Sequence, residues 1–229
     1  MAEFTPVTHV IFDLDGLLID SETIYKKSLD LLLEKYGKVY TDEVRLKVMG
    51  TKEQDTVRIL VEELKLPVDV EEFNKEYMNC IVPTLSDVEL KPGAEKLVHH
   101  FHKNGVPLAM ATSSGIESCE IKLKRFSELK SCFHHIVMGS SDKEVVNGKP
   151  APDIFFLAAK RFPDNPSPNK CLVFEDSYNG VLAARAAGMQ VVMVPEALVS
   201  EEKRKKATIV YESLEDFVPE IFGLPSYEK

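Results

Sequence analysis

Cysteine is scarce in this chain: Cys80, Cys119, Cys132 and Cys171 are its four in 229 residues. They are too few and too widely spaced for a disulfide scaffold or a zinc knuckle, and they read as reduced, mostly buried thiols of an intracellular protein. Basic residues are in deficit as well, 28 against 37 acidic ones, for a formal charge of -9. A field of that sign repels nucleic acid and anionic lipid, which excludes a non-specific polyanion binder but leaves room for a locally positive pocket. Uninterrupted apolar runs are missing too. The stretch from Val10 to Ile19 is broken by Asp13 and Asp15 and follows no basic residue, so it is not a signal peptide. No stretch approaches the ~20 apolar residues of a membrane helix. Gly148-Lys149 runs directly into Pro150, and no G-x-x-x-x-G-K-[ST] occurs elsewhere, which excludes a P-loop nucleotide hydrolase. Internal repeats and low-complexity tracts are absent. The expectation is a soluble, cytoplasmic protein with no nucleic-acid or membrane partner, and a monomer by default.

What is present suits a packed α/β protein. Hydrophobic residues make up 44% of the chain, enough for a real core in one large domain or a core with a smaller one. Val7–Phe12 is a compact apolar run ending at an aspartate turn, as a buried strand requires. Ile24, Leu31, Leu32 and Tyr36 then recur at helical spacing before Gly37. Thr51 and Gln54 have the spacing of a capping box for a helix to about Lys65, and Asp69 with Glu72 opens another that ends near Pro83. Residues 18–88 therefore form a helical unit. After Pro92-Gly93 and a helix to Gly105, strand candidates at 106–111, 135–138, 171–174, 190–194 and 208–211 alternate with helical segments. That alternation indicates a doubly wound parallel sheet, in which ligands bind beyond the carboxyl ends of the strands.

Two features elsewhere have ordinary readings. Lys203-Arg204-Lys205-Lys206 follows Glu201-Glu202 at helical pairing distance and reads as a solvated helix face. His99, His100 and His102 close a helix, where imidazoles suit the negative dipole end, and they have no acidic or cysteine partner at zinc-ligand spacing.

The strand ends carry the chemistry. Asp13-Leu14-Asp15-Gly16 follows the first strand, Thr112-Ser113-Ser114-Gly115 the second, Gly148-Lys149-Pro150 the loop after the third, and Glu175-Asp176 the fourth. Each alone is an ordinary turn, cap or acidic first helical turn; together they place carboxylates, hydroxyls and one lysine on a single rim. Carboxylates gathered there repel one another unless a hard cation sits among them, and oxygen-only ligands point to magnesium. Such a site suits phosphoryl transfer. One aspartate can attack phosphorus, a second carboxyl can protonate the leaving alkoxide, and lysine and hydroxyl donors can hold the phosphate oxygens.

In their order and spacing these motifs resemble those of the haloacid dehalogenase-like superfamily of phosphohydrolases. The resemblance implies Asp13 as phosphorylated nucleophile and Asp15 as general acid/base. Thr112, Ser113 and Lys149 would bind phosphate. Magnesium would be held by Asp13, by Asp15 through its backbone carbonyl, and by Asp176, with Glu175 close behind. It also implies a catalytic core from 1–17 and 89–229, with 18–88 as an inserted helical cap on two hinge-like linkers. The stretches FDLDGLLIDSE, GKPAPDIF and KCLVFEDSYNGV narrow the likeness to enzymes acting on a small phosphorylated metabolite, with pseudouridine 5'-phosphate foremost. The alternatives are a glycerol-3-phosphate phosphatase, a sugar phosphomutase or, from another class, a non-catalytic binding protein on this fold. A mutase of the superfamily is expected to carry a histidine where this chain has Tyr25, and a cation gripping the second phosphate where it has Lys52. Those two residues are the cap candidates for contacting substrate. Ser140-Ser141-Asp142-Lys143 and Ser177-Tyr178 depart from that closer likeness at positions expected not to touch the chemistry.

Overall fold

A computed structural model describes residues 4–227. The outermost positions of the expected core segments, 1–3 and 228–229, lie outside the described residues. Six strands form one parallel sheet: β1 (His9–Phe12), β2 (Leu108–Thr112), β3 (His135–Met138), β4 (Cys171–Glu175), β5 (Gln190–Met193) and β6 (Ile209–Val210). Their spatial order is β3-β2-β1-β4-β5-β6. Between β1 and β2 lie α1 (Ser21–Glu34), α2 (Asp42–Val48), α3 (Glu53–Leu64), α4 (Val70–Ile81) and α5 (Ala94–Lys103). The later connections carry α6 (Ile116–Leu123), α7 (Ser127–Ser131), α8 (Asp153–Lys160), α9 (Tyr178–Ala186) and α10 (Glu201–Arg204). No helix among the described residues is long and apolar enough to cross a membrane.

The strand sequences are near-continuous apolar runs because both faces of the sheet are covered. Val10, Phe12, Leu108, Met110, Leu172 and Phe174 point into one layer, where Phe12 stacks on Phe174 with centroids 4.7 Å apart. Ile11, Ala109, Ala111 and Val173 point into the other, against Ile154, Phe155 and Ala158 of α8. β3 spans the expected residues, and the other strands differ only at their ends.

The helices from α1 to α4 pack on one another around a separate core that includes Leu29, Leu33, Leu60, Phe73, Tyr77 and Ile81. Asp69 caps α4, its carboxylate accepting the Glu72 N–H at 2.8 Å. The Thr51–Gln54 capping box does not form. Lys52 occupies the cap position of α3 without a side-chain capping bond, and the Thr51 hydroxyl instead donates to Val48 O at 2.7 Å. Helix α2 was not signalled by apolar periodicity, although Thr41 caps it and Asp42 and Glu43 fill its first turn. The chain enters and leaves this helical block along two passages that lie side by side: the Asp20 N–H donates to Glu89 O and the Lys91 N–H to Leu18 O, at 2.8 and 2.9 Å. In the last connection, α10 is a single turn too short for the expected pairing of Glu201 and Glu202 with Lys205 and Lys206. Arg204 instead turns back onto Val199 O and the Glu212 carboxylate.

From β1 the chain builds outward through β2 to β3, then returns across the sheet to place β4 on the other side of β1. That reversal opens a crevice at the carboxyl ends of β1 and β4, the position where ligands sit in such sheets. Asp13 is the first residue beyond β1.

Candidate active site

The parallel register fixes the acidic half of the site. The Asp13 N–H continues the ladder by donating to Phe174 O at 3.0 Å, so Asp13 stands beside the end of β4, where Glu175 and Asp176 follow. Ligand atoms of Asp13, Glu175 and Asp176 all lie within 4.8 Å of one another, and all three residues are buried. The Lys149 ammonium sits between two of them, 2.5 Å from Asp13 Oδ1 and 2.5 Å from Glu175 Oε1, and also donates to Ala111 O. Gly16, at φ +79°, follows Asp13-Leu14-Asp15 because the turn needs a left-handed residue and because a Cβ there would overlap the Asp176 carboxylate. Glu175 Oε2 accepts from both the N–H and the hydroxyl of Ser177. Ser177 thus reaches the acidic cluster, contrary to the expectation that this departure lies away from the chemistry.

One ammonium does not balance three carboxylates. Burial pushes the Asp13 carboxyl up to about 8; Lys149 draws it down, while Glu175 and Asp15 push it further up. Burial, then Glu175, Asp13 and Glu22, raise Asp176 well above the ordinary carboxylate range. Burial would strip the proton from Lys149, but Asp13 and Glu175 outweigh it and hold that lysine charged. A negative excess on clustered, buried oxygen ligands is what a hard divalent cation neutralises, so these residues fit one.

The other half of the site is built on β2 and α6. Asp15 Oδ1 accepts from Lys122 Nζ at 2.7 Å, and Oδ2 accepts from the hydroxyls of Ser114 at 2.9 Å and Thr112 at 3.3 Å. Burial would raise the Asp15 carboxyl, but the charge and hydrogen bond of Lys122 keep it below the usual value. Lys122 was not among the expected site residues. In IESCEIKL it looks like any lysine of a solvated helix face, and only the fold shows its side chain to be fully buried. The Ser113 hydroxyl faces the helical block, donating to Gly50 O at 2.7 Å.

Over these groups lies a small cavity of about 60 Å³. Asp13, Asp15, Ser113 and Ser114 form its floor; Tyr25, Tyr40, Tyr77, Glu22 and Glu53 stand among the residues of its opposite wall. No lysine or arginine is among the described residues that line it. Burial lifts the Glu22 carboxyl to about 7, with Arg45 at 3.9 Å drawing it down and Asp15 adding to the rise. Tyr25 thus joins the site. Lys52 points elsewhere, donating to Val145 O at 2.6 Å and Val146 O at 3.2 Å across the gap between α3 and the loop before Lys149. Next to it, the Glu53 N–H donates to Ser140 Oγ at 3.0 Å, and Glu53 Oε1 accepts the Gly115 N–H at 3.1 Å. Ser140 is therefore an anchor for α3. The four cysteines are free thiols, and burial raises Cys119 and Cys171 to about 12, which leaves them unreactive.

A parallel sheet presenting paired aspartates, a buried lysine and an acidic cluster at its switch point defines a phosphohydrolase-type centre. The chain belongs to the haloacid dehalogenase-like hydrolase family, whose model matches residues 10–194, and it is a phosphatase of that family. It is 51% identical over 221 residues to a Drosophila melanogaster protein named probable pseudouridine-5'-phosphatase, covering 96% of each. It is 41% identical over 225 residues to (DL)-glycerol-3-phosphatase 2 of Arabidopsis thaliana, covering 97% of this chain and 93% of that protein. Among solved structures it is similar to a putative beta-phosphoglucomutase from Thermotoga maritima, with 31% identity, a TM-score of 0.68, and coverage of 94% and 97% of the two chains.

Proposed function

We propose that the protein hydrolyses pseudouridine 5'-phosphate, or a closely similar small phosphomonoester, with magnesium and through an aspartyl-phosphate on Asp13. The observation that carries this reading is the split of the Asp13-Leu14-Asp15 turn. Asp13 faces Lys149 and the acidic cluster, while Asp15 faces Thr112, Ser114 and Lys122 on the side of the cavity. Asp13, Asp176 and the Asp15 backbone carbonyl would hold magnesium, with Glu175 behind them, and the ion would neutralise phosphate charge so that an anionic nucleophile can approach. An Asp13 oxygen attacks phosphorus as the bond to the leaving oxygen breaks, and Asp15 gives that oxygen its proton. Asp15 then takes a proton from water as the water oxygen attacks the aspartyl-phosphate, releasing phosphate and restoring Asp13. A substrate dianion beside Asp15 raises its proton affinity, which favours the acid form at the moment it is needed. Thr112, Ser113 and Lys149 would hold the phosphate oxygens.

The wall of the cavity supports hydrolysis over mutase chemistry. A phosphomutase must hold a second phosphate, and this lining offers tyrosines and the carboxylates of Glu22 and Glu53 instead of a cation. Aromatic faces and acceptors suit a neutral leaving group bearing hydroxyl or ring N–H donors, and Tyr25 is the cap residue we assign to reading it. Lys52, engaged with two backbone carbonyls, would help close residues 18–88 over the core on the paired linkers. The free thiols support a cytoplasmic setting.

Phosphate release with magnesium from pseudouridine 5'-phosphate, uridine 5'-phosphate, glycerol 3-phosphate and β-glucose 1-phosphate tests this reading. A clear preference for the first is expected. Preference for glycerol 3-phosphate, favoured by the 41% identical relative, would keep the chemistry and replace the substrate. An isomerised sugar phosphate without free phosphate would overturn hydrolysis.

A further inference from the structure

Each aspartate of the Asp13–Asp15 turn has its own buried lysine, and only one of the two, Lys149, is accounted for by the chemistry above. Lys122 projects from α6 with its side chain entirely out of solvent. Its ammonium donates to Asp15 Oδ1 at 2.7 Å and to Ser114 Oγ at 2.7 Å, and it lies 5.2 Å from the centroid of the Tyr25 ring. A buried ion pair is a poor way to stabilise a fold, since the cost of removing both charges from water roughly cancels their attraction. What it does supply is direction. With Lys122 on one oxygen and Ser114 on the other, hydrogen bonds hold the orientation of the Asp15 carboxylate, which lines the cavity.

We propose that Lys122 is a positioning residue for the leaving-group step, pinning Asp15 so that its free edge meets the leaving oxygen, with Tyr25 stacked over the pin from the helical block. The proposal rests on Asp15 being the general acid. Positioning of this kind converts a freely rotating acid into one held at reaction geometry, and misplacement by an ångström can cost about 10²-fold.

The test compares a leaving group that needs a proton with one that does not. Hydrolysis of an alkyl phosphate (pseudouridine 5'-phosphate or glycerol 3-phosphate) requires protonation of the departing alkoxide; p-nitrophenyl phosphate releases a stable anion. kcat/KM reports the steps up to departure of the leaving group. Lys122→Met is expected to lower kcat/KM for the alkyl phosphate by about 10²-fold, the lower end of what general acid catalysis contributes. It should leave p-nitrophenyl phosphate within a few-fold, and Lys122→Arg should recover part of the alkyl loss. Equal falls on both substrates would overturn the proposal while leaving the phosphatase assignment intact. A wild type inert to both would overturn the two together.

Lys122→Met alone leaves Asp15 charged without its partner and could fail to fold. Asp15→Asn with Lys122→Met removes both charges, so the pair is compared with Asp15→Asn alone on p-nitrophenyl phosphate. Equal rates are expected, because Lys122 acts through Asp15; a further tenfold fall in the double variant would overturn the proposal.

Discussion

Gly180 and Glu175 meet so closely that a Cβ on the glycine would overlap the whole Glu175 carboxylate. The first turn of α9 thus serves as the floor under the acidic cluster, and the Gly180 N–H is used there too, donating to Ser177 Oγ at 3.0 Å. Gly180→Ala must displace Glu175, and with it Lys149, which bridges Glu175 to Asp13. The expected outcome is a stability loss of about 1–3 kcal/mol, typical of overpacking, together with a large fall in phosphate release. Thermal unfolding and a turnover assay on the same preparation check it; a variant with wild-type rate and stability would contradict this placement of Glu175.

The raised carboxyls give the metal proposal a pH signature. Asp13 titrates near 8 without a cation, and Asp176 is raised with it, both above their unfolded values. A carboxyl raised by folding favours the native state while protonated and loses that advantage as pH climbs through its folded value. The chelated protein should therefore become less stable between pH 5 and pH 8. Magnesium should restore more stability at pH 8, where it does not compete with protons. Asp176→Asn should abolish that magnesium response while raising the Tm of the chelated protein at pH 8. Differential scanning fluorimetry with chelator or magnesium at the two pH values reads all of this.

Glu22 offers an independent check of the electrostatics on the wall of the cavity. Its carboxyl is lifted from 4.5 to about 7, chiefly by burial. Ionised Glu22 therefore costs the folded state stability that is fully present below pH 4.5 and lost as pH rises through 7. At about 1.4 kcal/mol for each pH unit, the upper bound is ~3 kcal/mol. Glu22→Gln should gain stability over the wild type progressively from pH 5 to pH 8 in chelator. A constant difference across that range would show that Glu22 is not held in the raised state.

Much of the fold was legible because both faces of the sheet are buried: runs such as VTHVIF and KCLVF leave little choice but a covered strand. The residues just past the strands could be read for the same reason, since the parallel register delivers Asp13, Thr112 and Glu175 to one edge. Lys122 could not be read that way. Its role depends on α6 turning its lysine toward Asp15, and no local pattern separates that lysine from Lys124 or Lys130. Helix α2 carries no legible period because its buried positions, Val44 and Val48, are only two. Thr51 failed as a cap because it lies one residue before the α3 cap position, with its hydroxyl drawn to Val48 O and Thr56.

The central proposal is that Asp13 carries the phosphoryl group in transit. Enzyme mixed with substrate and magnesium, quenched in acid during turnover and digested, should yield the peptide containing Asp13 with the mass of one added phosphoryl group. Borohydride should convert Asp13 in that peptide to homoserine. Asp13→Asn should show neither change and should lose turnover by on the order of 10⁴-fold or more. A phosphoryl group trapped on another residue, or turnover surviving Asp13→Asn, would contradict the mechanism.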